Sequence, residues 1–456
     1  MSHIPSEISH ILDRYRAGSL RSKEVVRNVV LSMGMKVASI IASLLIVPMT
    51  IGYINPTRYG IWLALASVIN WVNFFDLGLG NGFRNRFAEA KAHGDTLLAR
   101  QLVSTTYFTL SCIVVVVLLA ALVANNFIDW SAFLKVQSSY RAELKIVFSI
   151  IITFVCINMV ANVFNSLLSA DQKNGWGGCI FAVGQYVSLL VIFILSKTTS
   201  GSLINLALFY SGIPCIVMII ASLVMFKWSR YKIYRPHFKF IKLSLIGNIM
   251  KLGVQFFVIY LCLIFVFQIV NVVISREVGP VGVTQYNIAN KYFNILYMTI
   301  LIIITPLWSA FTDAYAQNDI AWIKSMVRKM RILWLVALGC SAVMVLLSPL
   351  FYHIWIGSKV DMPISISIAM AVYVSCQSLG NIFMTMINGI GTVRIQLIIY
   401  VIFALASWPL FTLLGRYYGL VGIIAIPSFV YLIQGIFGYL QLHKIVSGTA
   451  RGIWLK

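Results

Sequence analysis

The sequence predicts an all-α membrane protein of about twelve transmembrane helices, and three observations carry that prediction. Apolar runs of about 20 residues recur along the whole chain, each long enough to cross a hydrocarbon core of roughly 30 Å as a helix. The 456 residues are 60% hydrophobic and only 11% charged, with a mean hydropathy of +0.90. A soluble globule cannot hide that much apolar surface. Third, the basic residues gather between the apolar runs and leave the runs themselves almost free of charge. In lipid every backbone N–H and C=O must be satisfied within the protein, so only helices or closed-barrel strands can cross. Barrel strands alternate apolar and polar residues; the stretch from Cys112 to Val123 does not.

The apolar windows fall near 29–51, 59–81, 104–126, 146–169, 179–196, 202–226, 250–274, 283–310, 331–356, 364–389, 395–415 and 419–442. The second is the weakest run, interrupted by Asn70, Asn73 and Asp76. Orientation follows from Lys and Arg, which favour cytoplasmic loops. With the N-terminus inside, inside segments hold 25 of these residues and outside segments 8, while Lys36 and Lys291 lie within spans. That bias places both termini in the cytoplasm and requires an even number of spans. The net charge of +22 is thus a topology signal spread over many loops. No nucleic-acid partner is expected.

The longest basic segment, Lys227 to Lys251, divides the chain into six spans and six. The predicted organisation is a cytoplasmic tail at 1–28, a six-helix bundle at 29–226, a basic linker at 227–249, a second bundle at 250–442 and a cytoplasmic tail at 443–456. An internal repeat supports the division. Residues 88–95 (Ala-Glu-Ala-Lys-Ala-His-Gly-Asp) align with residues 312–319 (Thr-Asp-Ala-Tyr-Ala-Gln-Asn-Asp) at an offset of 224, which also places Pro56 on Pro280 and Arg100 on Lys324. Both copies are inside and follow an even span, so the halves are parallel repeats. Transporters built from such halves often place a substrate path near the midplane.

Polar residues inside spans are costly and therefore informative, a central Lys or Asp costing roughly 2.5–3.5 kcal/mol on insertion scales. Ser32, Lys36, Ser39 and Ser43 share one face of span 1. Asn158, Asn162, Asn165 and Ser169 do so on span 4, Asn287, Asn290, Lys291 and Asn294 on span 8, and Gln377, Asn381, Thr385 and Asn388 on span 10. Gln268, Asn271 and Ser275 mark span 7. One reading is helix–helix glue, since amides hydrogen-bond across packed membrane helices. The other is a wet cavity, in which Lys36 and Lys291 would offer positive charge to an anionic ligand such as a diphosphate. Asp76 fits either a salt bridge to one of these lysines or a site for a coupling ion.

Other features point away from chemistry. The seven cysteines all fall in apolar runs and show no metal or disulfide spacing. The six histidines are scattered, and the longest outside loop, roughly 127–145, is too short for an enzyme domain. Neither a catalytic site nor a metal or other cofactor is expected. Gly78, Gly80 and Gly82 imitate a dinucleotide-binding loop, but Phe83 occupies the last glycine position; they are expected to end or loosen the second helix before a basic loop. Pro48, Pro214, Pro306, Pro349, Pro409 and Pro427 should kink their spans. The polar, charged first 27 residues show no cleavable signal, so the first span should serve as the insertion signal, and Ile4, Ile8, Ile11 and Leu12 suit an interfacial helix.

Two runs carry a family resemblance. Leu45 to Trp62 reads Leu-Ile-Val-Pro-Met-Thr-Ile-Gly-Tyr-Ile-Asn-Pro-Thr-Arg-Tyr-Gly-Ile-Trp, and Phe74 to Ala90 reads Phe-Phe-Asp-Leu-Gly-Leu-Gly-Asn-Gly-Phe-Arg-Asn-Arg-Phe-Ala-Glu-Ala. Together they resemble the amino-terminal signature of Wzx-type polysaccharide flippases, members of the multidrug/oligosaccharidyl-lipid/polysaccharide (MOP) exporter superfamily. The resemblance implies a MATE-like pair of six-helix bundles with a cationic central cavity in the inner membrane. It also implies alternating-access transfer of undecaprenyl-diphosphate-linked oligosaccharide, such as an O-antigen repeat unit, from the cytoplasmic to the periplasmic leaflet. Membrane lipids, a glycan polymerase and other assembly proteins would be the surrounding partners. Lys36 and Lys291 fit the cavity by position. A cation-exporting antiporter of the sister family, or a flippase for another lipid-linked precursor, is the alternative.

Overall fold

The computed structural model describes residues 20–72, 79–171, 173–247, 267–304, 307, 311, 314–315, 317–390, 392 and 394–455. Among them every regular element is helical. The longer ones are α1 (Leu20–Ile54), α2 (Pro56–Asn70), α3 (Leu79–Ala92), α4 (Thr96–Phe127), α5 (Trp130–Leu134), α6 (Arg141–Ala161), α7 (Val163–Ala170), α8 (Asn174–Thr198) and α9 (Leu203–Trp228). They continue with α10 (Val270–Glu277), α11 (Pro280–Ile304), α12 (Ile320–Ile356), α13 (Ile364–Ile390) and α14 (Arg394–Val446).

Nine helical stretches among the described residues are long and apolar enough to cross a membrane. The last, α14, has 53 residues, which at 1.5 Å per residue would run about 80 Å, well over twice a bilayer core. Gly419 resolves the excess: its φ of 58° and ψ of −140° break the helix, and only glycine adopts that conformation without strain. The two pieces match the predicted spans 395–415 and 419–442. Predicted spans 59–81, 250–274 and 283–310 run into residues outside the described set. Gly80 and Gly82 lie inside α3, so the segment expected to be a basic loop is a helix. The basic stretch after them is itself helical, and Phe83 and Phe87, fully buried on its inner face, show that packing and not local propensity holds it.

The repeat read at an offset of 224 reappears as backbone geometry. Asn55 and Gly279 carry positive φ angles of 71° and 107°, and each precedes the proline that opens α2 or α11. Gly94 and Asn318 form the second pair, at 73° and 56°. The following aspartates each cap a helix: Asp95 Oδ1 accepts from the N–H of Leu98 at 2.8 Å, and Asp319 Oδ1 accepts from that of Trp322 at 3.0 Å. Both turns also close the same way, with Asp95 N–H donating to Ala90 O and Asp319 N–H to Ala314 O. Proline supplies a preset φ and lacks an N–H that a first turn would waste; the aspartate accepts from an amide the helix leaves unpaired.

By compactness the chain falls into two units. The first comprises the described parts of Met1–Met49, Val72–Phe127 and Ile146–Phe257; the second those of Thr50–Trp71, Ile128–Lys145 and Val258–Lys456. In the first, Asp171 is an anchor. Its side chain is 2% exposed and takes ion pairs from Lys91 and Arg230 and a 2.6 Å hydrogen bond from the Tyr231 hydroxyl. Burial pushes that phenol upward, so it stays protonated and able to donate. These residues follow spans 2, 4 and 6, all assigned to one side by the charge count. Asp171→Ala is expected to destabilise the protein by about 2–3 kcal/mol, the scale of a single hydrogen bond to a charge. Lys91 and Arg230 are 41% and 54% exposed, so water takes up their freed charges and limits the loss. An unchanged thermal midpoint in detergent would remove the anchor role.

In the second unit the segments assigned to the opposite side meet in the same manner. Glu277 pairs with Lys135 at 3.5 Å and Arg416 at 3.4 Å, and Arg276 donates to Phe133 O at 2.6 Å. Asp129 caps α5, and the Ser131 hydroxyl that bonds it holds its carboxyl below the usual range. The helices of this unit pack closely where glycine allows: a Cβ on Gly380 would lie 2.9 Å from Tyr431 O, and one on Gly435 2.7 Å from Leu379, the small-residue contact expected of membrane helices.

Candidate functional site

Polar side chains on membrane helices are the candidate functional groups, and each unit carries its own set. In the first, Lys36 stands exposed on α1, while Asn158 on α6 and Asn162 at the α6–α7 junction are half-buried. The short interruption at Asn162 leaves the hydrogen-bond ladder almost intact, with Asn162 N–H to Asn158 O at 2.8 Å and Ser166 N–H to Asn162 O at 3.0 Å. Asn165 lies against α8, where a Cβ on Gly177 would fall 2.2 Å from its Oδ1. Asp76 lies outside the described residues.

The second unit carries Asn287, Asn290, Lys291 and Asn294 on α11, all half-buried. Helical spacing of three and four residues sets them on one stripe. Asn287 spends its amide on structure, donating to Asn271 Oδ1 at 2.9 Å and Val283 O at 2.8 Å. That is the glue role. Asn381 on α13 turns back on its own helix, donating to Gln377 O at 2.9 Å. Gln377 donates to the Tyr373 hydroxyl at 3.4 Å, and its Oε1 is buried with no acceptor role taken up among the described residues.

Aromatic phenols around Gln377 were not marked by the sequence. Tyr373 meets Tyr431 edge-on at 6.0 Å, Tyr431 stacks on Phe267 at 4.8 Å, and Phe267 meets Tyr400 at 6.2 Å. Gln434, 1% exposed, lies beside Tyr400. The available signal was Gln434 three residues after Tyr431, on one face of the last span. The ensemble is a neutral, amide- and hydroxyl-bearing cluster, chemically suited to hydroxyl-rich ligands. Among the described residues no group of three or more His, Cys, Asp or Glu could hold a metal ion.

The model of the polysaccharide biosynthesis protein family matches residues 25–312, more than half of the chain. The chain belongs to that family. No curated protein matches it in sequence. Among solved structures, this polysaccharide biosynthesis protein is similar to an inward-facing multidrug resistance MATE family transporter of the MOP superfamily, at 14% identity and a TM-score of 0.69 over 93% of this chain and 98% of that one. An outward-facing MATE transporter gives 16% identity and a TM-score of 0.64, covering 94% and 96%. A MOP superfamily transporter from Pyrococcus furiosus, described by a binding pocket of reverse polarity, gives 15% and 0.62, covering 93% and 96%. At these identities the likeness establishes the fold: all-α, membrane-spanning and MATE-like.

Proposed function

We propose that this polysaccharide biosynthesis protein flips an undecaprenyl-diphosphate-linked oligosaccharide, such as an O-antigen or other surface-polysaccharide repeat unit, from the cytoplasmic to the periplasmic leaflet of the inner membrane. Both termini are then cytoplasmic, as the 25-to-8 distribution of Lys and Arg requires. The observation that carries the reading is the charge of the spans. Across the nine candidate spans among the described residues the only carboxylate is Glu143, close to the start of its span and 4.0 Å from Arg58, whereas Lys291 sits midway along its span and Lys36 midway along the helix Leu20–Ile54. Such spans favour an anion and disfavour an exported cation. The Pyrococcus furiosus neighbour, with its pocket of reverse polarity, is a precedent for this fold handling a different charge.

Each part of the substrate finds suitable chemistry. A diphosphate needs cations, and Lys36 and Lys291 supply them during transit. Sugar hydroxyls need amides and phenols, which Asn158, Asn162, Asn290, Asn294, Gln377 and Asn381 and the tyrosines near Gln377 offer. The polyprenyl tail needs only lipid. In a strain lacking this protein and any redundant flippase, surface glycan should disappear while lipid-linked repeat units accumulate on the cytoplasmic leaflet. Wild-type surface glycan in that strain would refute the proposal.

A further inference from the structure

We infer that the segment following α9, residues 229–243, holds an anionic phospholipid against the first unit. The segment leaves the membrane helix α9 directly and runs through two short 3-10 turns, Arg230–Tyr234 and Phe238–Phe240. It is tied down along its length. Tyr231 and Tyr234 turn inward, 3% and 7% exposed, and Tyr234 meets Phe87 edge-on at 5.1 Å. The N–H groups of His237 and Lys242 donate to Ser104 Oγ and Thr105 Oγ1 on α4, at 3.1 and 2.9 Å. Arg100 donates to Arg235 O at 3.1 Å and lies over the Phe240 ring at 4.1 Å.

The other face of this strap is unusual for a loop. Trp228 is 71% exposed and Phe238 82%, with Ile233 and Leu243 also outward. Interleaved with them are Lys227, Lys232, Arg235, Lys239 and Lys242, while Arg230 turns back to Asp171, and no acidic residue occurs between 227 and 247. Between strap and α4 lies a groove of about 430 Å³, walled by Tyr107, Phe108 and Ser111 on one side and Pro236, Phe238 and Ile241 on the other.

Position and chemistry select the occupant. A strap that begins where a span ends lies at headgroup depth, where aromatic side chains settle and lysines extend to phosphate. The apolar walls suit an acyl chain, and the lysines beside them suit a phosphodiester with no compensating cation. Clusters of four to eight basic residues next to a membrane helix attract anionic lipid in this way. A zwitterionic lipid would bring its own cation into a field already positive. The inference stands apart from the transport proposal, since it concerns a lipid that stays in its leaflet.

The full-length protein, purified in detergent, tests it by native mass spectrometry with added phosphatidylglycerol or phosphatidylcholine. The wild type should retain phosphatidylglycerol about tenfold more than phosphatidylcholine, the scale of one to two lysine contacts. Replacing Lys227, Lys232, Lys239 and Lys242 together by glutamine should abolish that preference. Ser111→Trp, which fills the groove and keeps every lysine, should lower phosphatidylglycerol retention to the phosphatidylcholine level. The four lysines are exposed, so their variant serves if Ser111→Trp does not fold. Equal retention of the two lipids by the wild type, or a quadruple variant that keeps the preference, would overturn the inference. Displacement of bound phosphatidylglycerol by equimolar farnesyl diphosphate would also overturn it, assigning the groove to a lipid diphosphate.

Discussion

Replacing Lys291 by methionine is expected to reduce surface-glycan assembly by about tenfold to a hundredfold, the loss of one hydrogen bond to a charge at 1.5–3 kcal/mol, with membrane levels of the protein unchanged. The two halves of that expectation have separate physical grounds. A lysine within a span opposes insertion by roughly 2.5–3.5 kcal/mol at the helix centre, so an unbranched apolar side chain of similar length should enter the membrane more easily. Loss of function therefore cannot be blamed on insertion. What is lost is a cation on the α11 stripe that also carries Asn290 and Asn294. Lys291→Arg keeps the charge and should retain most of the activity, whereas Asn287→Ala should act through folding, because its amide bridges to Asn271 and Val283. Quantified surface glycan, read beside immunoblots of the membrane fraction, checks all three. Wild-type glycan in Lys291→Met would end the assignment of this cation to the diphosphate.

Gly60→Ala is expected to be among the most damaging single-methyl additions in the chain. A Cβ at Gly60 would stand 1.7 Å from Pro280 O and 2.5 Å from its carbonyl carbon. Both are backbone atoms at the start of α11, so no side-chain rotation can relieve the clash; α2 and α11 must separate. Overpacking of this kind costs about 1–3 kcal/mol and more where the backbone is held. The separation would also stretch the 2.7 Å hydrogen bond from Thr284 Oγ1 to Pro56 O. Gly60 and Thr284 are related by the 224-residue offset, as are Pro56 and Pro280, so the contact joins matching points of the two repeats. Thr284→Val, which keeps the shape and deletes the hydroxyl, should cost only about 1 kcal/mol. Thermal unfolding followed by size-exclusion chromatography separates the variants; a Gly60→Ala protein that unfolds at the wild-type temperature would show that the interface can yield.

Much of this was written locally. Hydropathy over 20-residue windows identifies membrane helices because the solvent, not the neighbours, decides them: an unpaired peptide group in hydrocarbon costs several kcal/mol wherever it occurs. The repeat was legible for a related reason, since proline, asparagine, glycine and aspartate at turns encode backbone angles and caps that need no tertiary partner. Asn55 and Gly279, or Asp95 and Asp319, behave alike because the same short-range geometry recurs.

Side-chain roles were less legible. An asparagine in a span reads the same whether it bridges helices or faces water, and only the structure shows Asn287 bonded to Asn271. Asp171 gave no local sign of being the buried centre of a cluster, because Lys91 and Arg230 lie 80 and 59 residues away. Tyr373 and Tyr431 looked like ordinary apolar-span residues until α13 and α14 brought them together.

By itself, then, the sequence determined the class of the protein, the greater part of its spans, the turns that recur at an offset of 224 and the positive charge within the spans, all of which follow from transfer energies and local backbone preference. Only the tertiary structure decided which polar groups pair, that α3 is a helix, that residues 50–71 and 128–145 belong to the same compact unit as the C-terminal half, and that the strap after α9 leaves a groove against α4. Those outcomes depend on contacts between residues far apart in the chain, and composition and periodicity carry no record of such distances.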